Sequence, residues 1–204
     1  MHKIKPKQIV NIESDKAIET KGMKGFEVYT YENLPKFEEF LSTATSDVSI
    51  LSVSFAIATH QVDTIRRLIK SNKDVTILVV NRENNDFLKR LESYMGWSVI
   101  DSGTRSSLKT LCEMRREGTL INEERNHLTI FTYDAHIPIF NMVILDRRSE
   151  NPTIQFGAYF LGNDVSQRIC VITTKKQNPK FCNKCLEDYQ AILKKAKKFD
   201  YSKV

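Results

Sequence analysis

The chain has 204 residues and a mass of 23.6 kDa, of which 41% are hydrophobic and 27% charged; these proportions exclude a low-complexity or unfolded class and suit one domain with a sizeable core. Its longest apolar runs, Val75 to Val80 and Met142 to Leu145, are far shorter than the roughly 20 residues that span a bilayer, so no membrane span is expected. The formal charge of +6 is concentrated at one end: nine lysines face three acids from Lys175 to Val204, which argues against the whole domain as a nucleic-acid surface.

The N-terminal stretch MHKIKPKQIV has lysines without an apolar run after them, so it does not read as a secretory signal. Residues 1–22 are expected to form a basic, loosely held arm with a short extended piece at Gln8 to Ile12. The four cysteines, Cys112, Cys170, Cys182 and Cys185, are too few and scattered for a disulfide scaffold, and a reducing cytoplasm is the expected location.

Gly25 to Tyr31 alternates apolar and polar side chains, which predicts a half-buried strand. Asn33 before Leu34-Pro35 reads as an N-cap with an early helical proline, opening a helix to about Thr45 with Phe37, Phe40, Leu41 and Ala44 on one face. Val48 to Ala58 lacks a polar face, as a doubly covered parallel strand does. A helix from His60 to Asn72 and a second buried strand, Val75 to Val80, complete a strand-helix-strand unit with a crossover on one face. Further helices are predicted over 84–95, capped by Gly96, and over 104–117, with a short strand at Trp97 to Ile100 between them.

Beyond Asn126 the pattern changes to strands over 127–133, 138–146, 153–160 and 168–173 without helices between them, which predicts an antiparallel meander. A final helix is expected over 179–198, ending in a solvated run of lysines at 194, 195, 197 and 198 that its macrodipole favours. The fold class is therefore α/β: a mixed sheet with a parallel βαβ first half, an antiparallel second half and helices on both faces. One domain, 23–174, carries the arm before it and the basic helix, 175–204, packed on it.

Ligands in open α/β sheets bind beyond the carboxyl ends of the parallel strands. That rule selects His60 after the first buried strand and Asn81-Arg82-Glu83 after the second. The four histidines show no metal-ligand spacing, and neither a nucleophile elbow nor a glycine-rich phosphate loop is present, so no cofactor or metal is expected. Cys182-Asn183-Lys184-Cys185 shares a helical stripe with Leu186, Tyr189 and Leu193 and reads as packing rather than as half of a zinc site.

The order of a helix, a buried strand within FLSTATSDVSILSVSF, a helix, a strand in SNKDVTILVVNR, and then a strand ending in Asp before a glycine-containing strand, IQFGAYF, resembles a phospholipase D-like domain over residues 33 to 173. In active members of that superfamily an HxKxxxxD motif supplies a histidine nucleophile for a phosphodiester, a lysine on the phosphate and an aspartate behind the site. Taking Asp146 as the motif aspartate puts Ile139 and Asn141 in the His and Lys positions. Taking Asp134 instead keeps His127 in register but places Thr129 where the cation belongs. The Asp146 alignment fits the succession of strands better.

The resemblance thus implies a degenerate member, a binding or regulatory module without catalysis. A small anionic, phosphate-bearing ligand or a protein partner would be held by His60, Asn81, Arg82, Asn141, Asp146 and Arg147, because guanidinium and imidazole groups pair with phosphate or carboxylate. A second reading is a homodimeric phosphodiesterase or nuclease built on His127 and Asp134, with Arg125 or Lys109 replacing the missing lysine. A third is an interaction protein that inhibits a partner. Nucleic acid is a further candidate partner through the basic C-terminal helix.

Overall fold

The computed structural model describes residues 24–30, 33–53, 58–81, 83–95, 109–113, 126–134, 140–158 and 169–201, with backbone alone at 58–61, 94 and 95. The arm, the strand expected at Trp97 to Ile100, Gly96, Arg82, Arg125 and Ile139 lie outside these residues, as does the side chain of His60.

Eight strands form one sheet in the order β1-β7-β6-β5-β2-β3-β4-β8. In chain order they are β1 (Glu27–Thr30), β2 (Asp47–Ser52), β3 (Asp74–Val80), β4 (Leu128–Tyr133), β5 (Phe140–Leu145), β6 (Thr153–Ala158), β7 (Ile169–Thr174) and β8 (Lys197–Lys198). The helices are α1 (Phe37–Ser42), α2 (Ala58–Lys70), α3 (Asn85–Met95) and α4 (Pro179–Lys195), and residues 109–113 are also helical.

The expected βαβ unit is present: β2 and β3 pair in parallel from Asp47 and Asp74 onward, and α2 connects them. Every residue of β2 is buried, which is why its sequence shows no polar face. Asn72 closes α2 with a left-handed φ of 57°, a conformation that asparagine tolerates better than most residues.

Three expectations need correction. First, the helix predicted from Asn33 begins at Phe37, with Lys36 as N-cap and no side-chain cap bond. Pro35 keeps Leu34 out of the helical region, and Lys36 is extended at ψ 128°, so the first turn starts only at Phe37. Second, β4 does not belong to the antiparallel half but pairs in parallel with β3, from Val75↔Leu128 to Val80↔Tyr133. The long connection after α3, helical at 109–113, supplies the crossover that a parallel pair requires. Third, α4 stops at Lys195, where Ala196 turns extended at ψ 148°. Lys197 and Lys198 then pair antiparallel with β4, and Phe199 N–H donates to Ile130 O at 2.9 Å.

β5, β6 and β7 do form the expected antiparallel meander, and β1 is added beyond β7. Helices cover both faces. On one, Phe40, Leu41, Ile65, Leu68 and Ile69 of α1 and α2 pack over Val48, Ile50, Ile77 and Ile130. On the other, Phe87, Leu88 and Leu91 of α3 and Cys182, Cys185, Tyr189 and Ile192 of α4 pack over Leu51, Leu78, Met142 and Ile154. Ile77 and Leu78 are both fully buried, on opposite faces, and each such side chain contributes about 1.5–3 kcal/mol by leaving water. No helix among the described residues is long and apolar enough to cross a membrane.

Candidate functional site

Parallel pairing of β3 with β4 brings together the residues that follow them. Asn81 N–H donates to Tyr133 O at 2.8 Å, which sets Asn81 beside Asp134. The Nδ2 groups of Asn81 and Asn84 both donate to Asp134 Oδ2, at 3.1 and 3.2 Å. Each amide is fixed from behind, since Asn81 Oδ1 accepts Glu83 N–H and Asn84 Oδ1 accepts Phe87 N–H, both at 3.1 Å. Each side chain is thereby oriented with its Nδ2 donors towards Asp134. Those two hydrogen bonds, with the nearby charge of Lys197, hold the Asp134 carboxyl below its ordinary range and keep it ionised. Beside this cluster lies a shallow depression lined by Asn81, Glu83, Asn84, Asn85 and Asp86.

Asn141 reaches the same end of the sheet on β5, which runs antiparallel to β2. It stands opposite Gly157 of β6, which in turn stands opposite Cys170 of β7. The bare glycine makes room for the amide: a Cβ on Gly157 would fall on Asn141 Oδ1 and lie 3.0 Å from Cys170 Sγ. Gly157→Ala is expected to destabilise the fold by about 1–3 kcal/mol through overpacking, and Asn141→Ala in the same chain to restore most of the loss. Urea unfolding of the double-mutant cycle checks this, and a coupling near zero would mean that the Asn141 side chain moves aside freely.

The other predicted site residues are at the opposite end. His127 precedes β4 and Asp134 follows it, so six strand residues, about 20 Å of extended chain, separate the two groups. His127 Nδ1 instead lies 2.8 Å from Asp74 Oδ1, and Arg148 Nη1 donates to Asp74 Oδ2 at 3.0 Å. Asp146 closes β5 with a φ of 53°, its carboxylate accepting the N–H groups of Thr45 at 2.8 Å and Ser46 at 2.6 Å. Arg147 donates from Nε to Ser49 Oγ at 3.3 Å and lies 5.3 Å over the ring of Tyr189.

The structure thus brings Asn81, Asp134 and Asn141 to the carboxyl ends of the parallel strands, together with the first turn of α2 that contains His60. It places His127, Asp146 and Arg147 at the amino ends. Sequence reasoning missed Asn84, whose only signal is the Asn84-Asn85 pair at a helix start, and Asp74, which is 53 residues from its partner His127. Cys182 and Cys185 are buried and unpaired in a disulfide, and burial pushes the Cys185 thiol up to about 12, so the CxxC acts as core. Among the described residues no group of three His, Cys, Asp or Glu side chains is placed to hold a metal ion.

No protein-family profile matches the chain, and no curated protein does. Solved structures do. TrmBL2, described as an archaeal chromatin protein with a novel mode of DNA binding, superposes with a TM-score of 0.52 at 18% identity, over 89% of this chain and 57% of that one. Phosphatidylserine synthase from Haemophilus influenzae superposes with a TM-score of 0.53 at 16% identity, over 88% of this chain and 40% of that one. NucT from Helicobacter pylori shares 13% identity over 85% of this chain and 98% of its own, with a TM-score of 0.48. The chain spans less than two thirds of the first two proteins. The likeness to phosphatidylserine synthase shows the fold alone, a phospholipase D-like one.

Proposed function

We propose that this chain is a non-catalytic phospholipase D-like binding or regulatory module that takes a small phosphate-bearing ligand, or a protein partner, at the carboxyl ends of its parallel strands. The observation that carries this reading is that Asn141 occupies the position where the motif lysine would stand, while His127 lies at the amino end of β4, paired with Asp74. A histidine attached to Asp74 at one end of the sheet has no route to a phosphate held at the other.

Around the strand ends, Asn81 and Asn84 supply oriented N–H donors, and Asn141 adds a third amide. Asp134 is ionised there, so a ligand phosphate needs cations to bind beside it. Lys197 is one, and Arg82 and His60, expected in the same place from the sequence, are the others in this reading. TrmBL2 is described as binding DNA, which supports nucleic acid as a partner for this chain.

The test is an assay of the purified chain on a chromogenic phosphodiester and on plasmid DNA. No turnover above buffer is expected, and none that changes in His127→Ala. Turnover abolished by that substitution would overturn the reading in favour of the His127 phosphodiesterase. In parallel, phosphate-bearing compounds are expected to raise the unfolding midpoint of the parent chain and to raise it less in Asn81→Ala.

A further inference from the structure

The outward face of α4 carries a row of lysines that the ligand site does not use. Lys180, Lys184, Lys194 and Lys195 are all exposed, and at 3.6 residues per turn they fall within a stripe about 100° wide. The stripe opposite holds Cys182, Cys185, Tyr189 and Ile192, buried against the sheet, so the lysines point straight away from the core. From Lys180 to Lys195 the row is about 22 Å long. Lys184 is tied to Asp188 at 2.7 Å, whereas Lys180 and Lys194 make no ion pair with any described residue. Lys197 and Lys198, both exposed, extend the basic end onto β8.

The geometry points to this face of α4 as a phosphate-contacting surface for double-stranded nucleic acid, read by charge and not by base sequence. It deepens, and rests on, the nucleic-acid part of the reading above. Lys180 with Lys184, and Lys194 with Lys195, form two cationic pairs whose nearest members, Lys184 and Lys194, lie about 15 Å apart along the axis. That spacing suits the phosphate ridges on either side of a major groove about 12 Å wide, with Glu187 over the groove and not over a phosphate. The stripe has no aromatic side chain on which unpaired bases could stack, which favours a duplex over a single strand. Ala191 is the one apolar residue on it, too small to anchor the helix in a lipid surface.

Anisotropy of a labelled 20-base-pair duplex of arbitrary sequence, titrated with the full chain, tests the surface. Binding is expected at about 50 mM salt, weakening about 100-fold at about 200 mM, because four lysine contacts give a log-log slope of about −3.6. Lys194→Gln/Lys195→Gln and Lys180→Gln/Lys184→Gln should each flatten the slope by about 2 and weaken binding at least about tenfold at the lower salt. Their unfolding midpoints should stay unchanged. If these variants bind like the parent while Lys3→Gln/Lys5→Gln/Lys7→Gln does not, the surface is wrong and nucleic acid as partner survives. Absence of any duplex binding at the lower salt overturns both. Tighter binding to phosphatidylserine-containing vesicles than to the duplex at the same salt would reassign the face to a membrane.

Discussion

Asp146→Ala is expected to lose about 2–4 kcal/mol of stability, measured as a fall in the urea midpoint without a change in slope. The carboxylate accepts the Thr45 and Ser46 N–H groups at 2.8 and 2.6 Å and the Ser46 hydroxyl at 3.1 Å. It thereby closes the start of β2 against the end of β5. Alanine would leave those donors to water and would also sit at a φ of 53°, where a Cβ without a local polar partner costs about 1–2 kcal/mol. Asp146→Asn keeps an acceptor oxygen and tolerates the backbone, so about half of the loss is expected.

The same carboxylate gives the effect a pH dependence of definite sign. Burial alone would raise its pKa, but the Ser46 and Thr45 hydrogen bonds together hold it below the ordinary value of 3.8. A depressed folded-state pKa means that the stabilisation is fully present above that ordinary value and is lost as pH falls through the folded one. The gap between the parent and Asp146→Asn should therefore be constant near neutral pH and narrow below about pH 4. A gap that widens on acidification would show that the charge is not what Asp146 contributes.

The other large effect is expected at Tyr189. Its side chain is fully buried between α4 and the sheet, and truncation to alanine should cost about 3–5 kcal/mol. Tyr189→Phe should stay within about 1 kcal/mol of the parent. Among the described residues the buried Tyr189 hydroxyl lies near Ser49 and Arg147 but makes no hydrogen bond of acceptable geometry, and burial raises its pKa. The ring matters twice, as core volume and as the surface beneath the Arg147 guanidinium. Comparison of the two variants by thermal and urea unfolding separates ring from hydroxyl, and a phenylalanine variant as unstable as the alanine one would contradict the assignment.

Much of the scaffold is legible in single segments. The run VTILVV and the fully buried β2 announce doubly covered strands by lacking a polar face, and the Val62, Ile65, Leu68 and Ile69 spacing announces the helix that crosses between them. The stripe on α4 that contains both CxxC cysteines is equally local, and both thiols are core as expected. β4 misled because β5, β6 and β7 follow it with no helix predicted between them, so it read as the first strand of their meander. It lies one strand from the sheet edge, where only the two residues of β8 cover it.

The candidate site was less legible because it consists of relations between distant segments. His127 and Asp134 have the spacing of a motif in the chain, yet an extended strand turns that spacing into the largest separation seven residues can reach. Asn81 and Asp134 look unrelated in the chain and are hydrogen-bonded in the fold. By itself the sequence determined which stretches are apolar, with what period, and where charge accumulates, because these depend on side chains a few residues apart. Which strand lies beside which was decided only by the tertiary structure. Every strand offers the same backbone donors and acceptors, so neighbour and direction follow from the length of the crossovers and from which helices the two faces can bury.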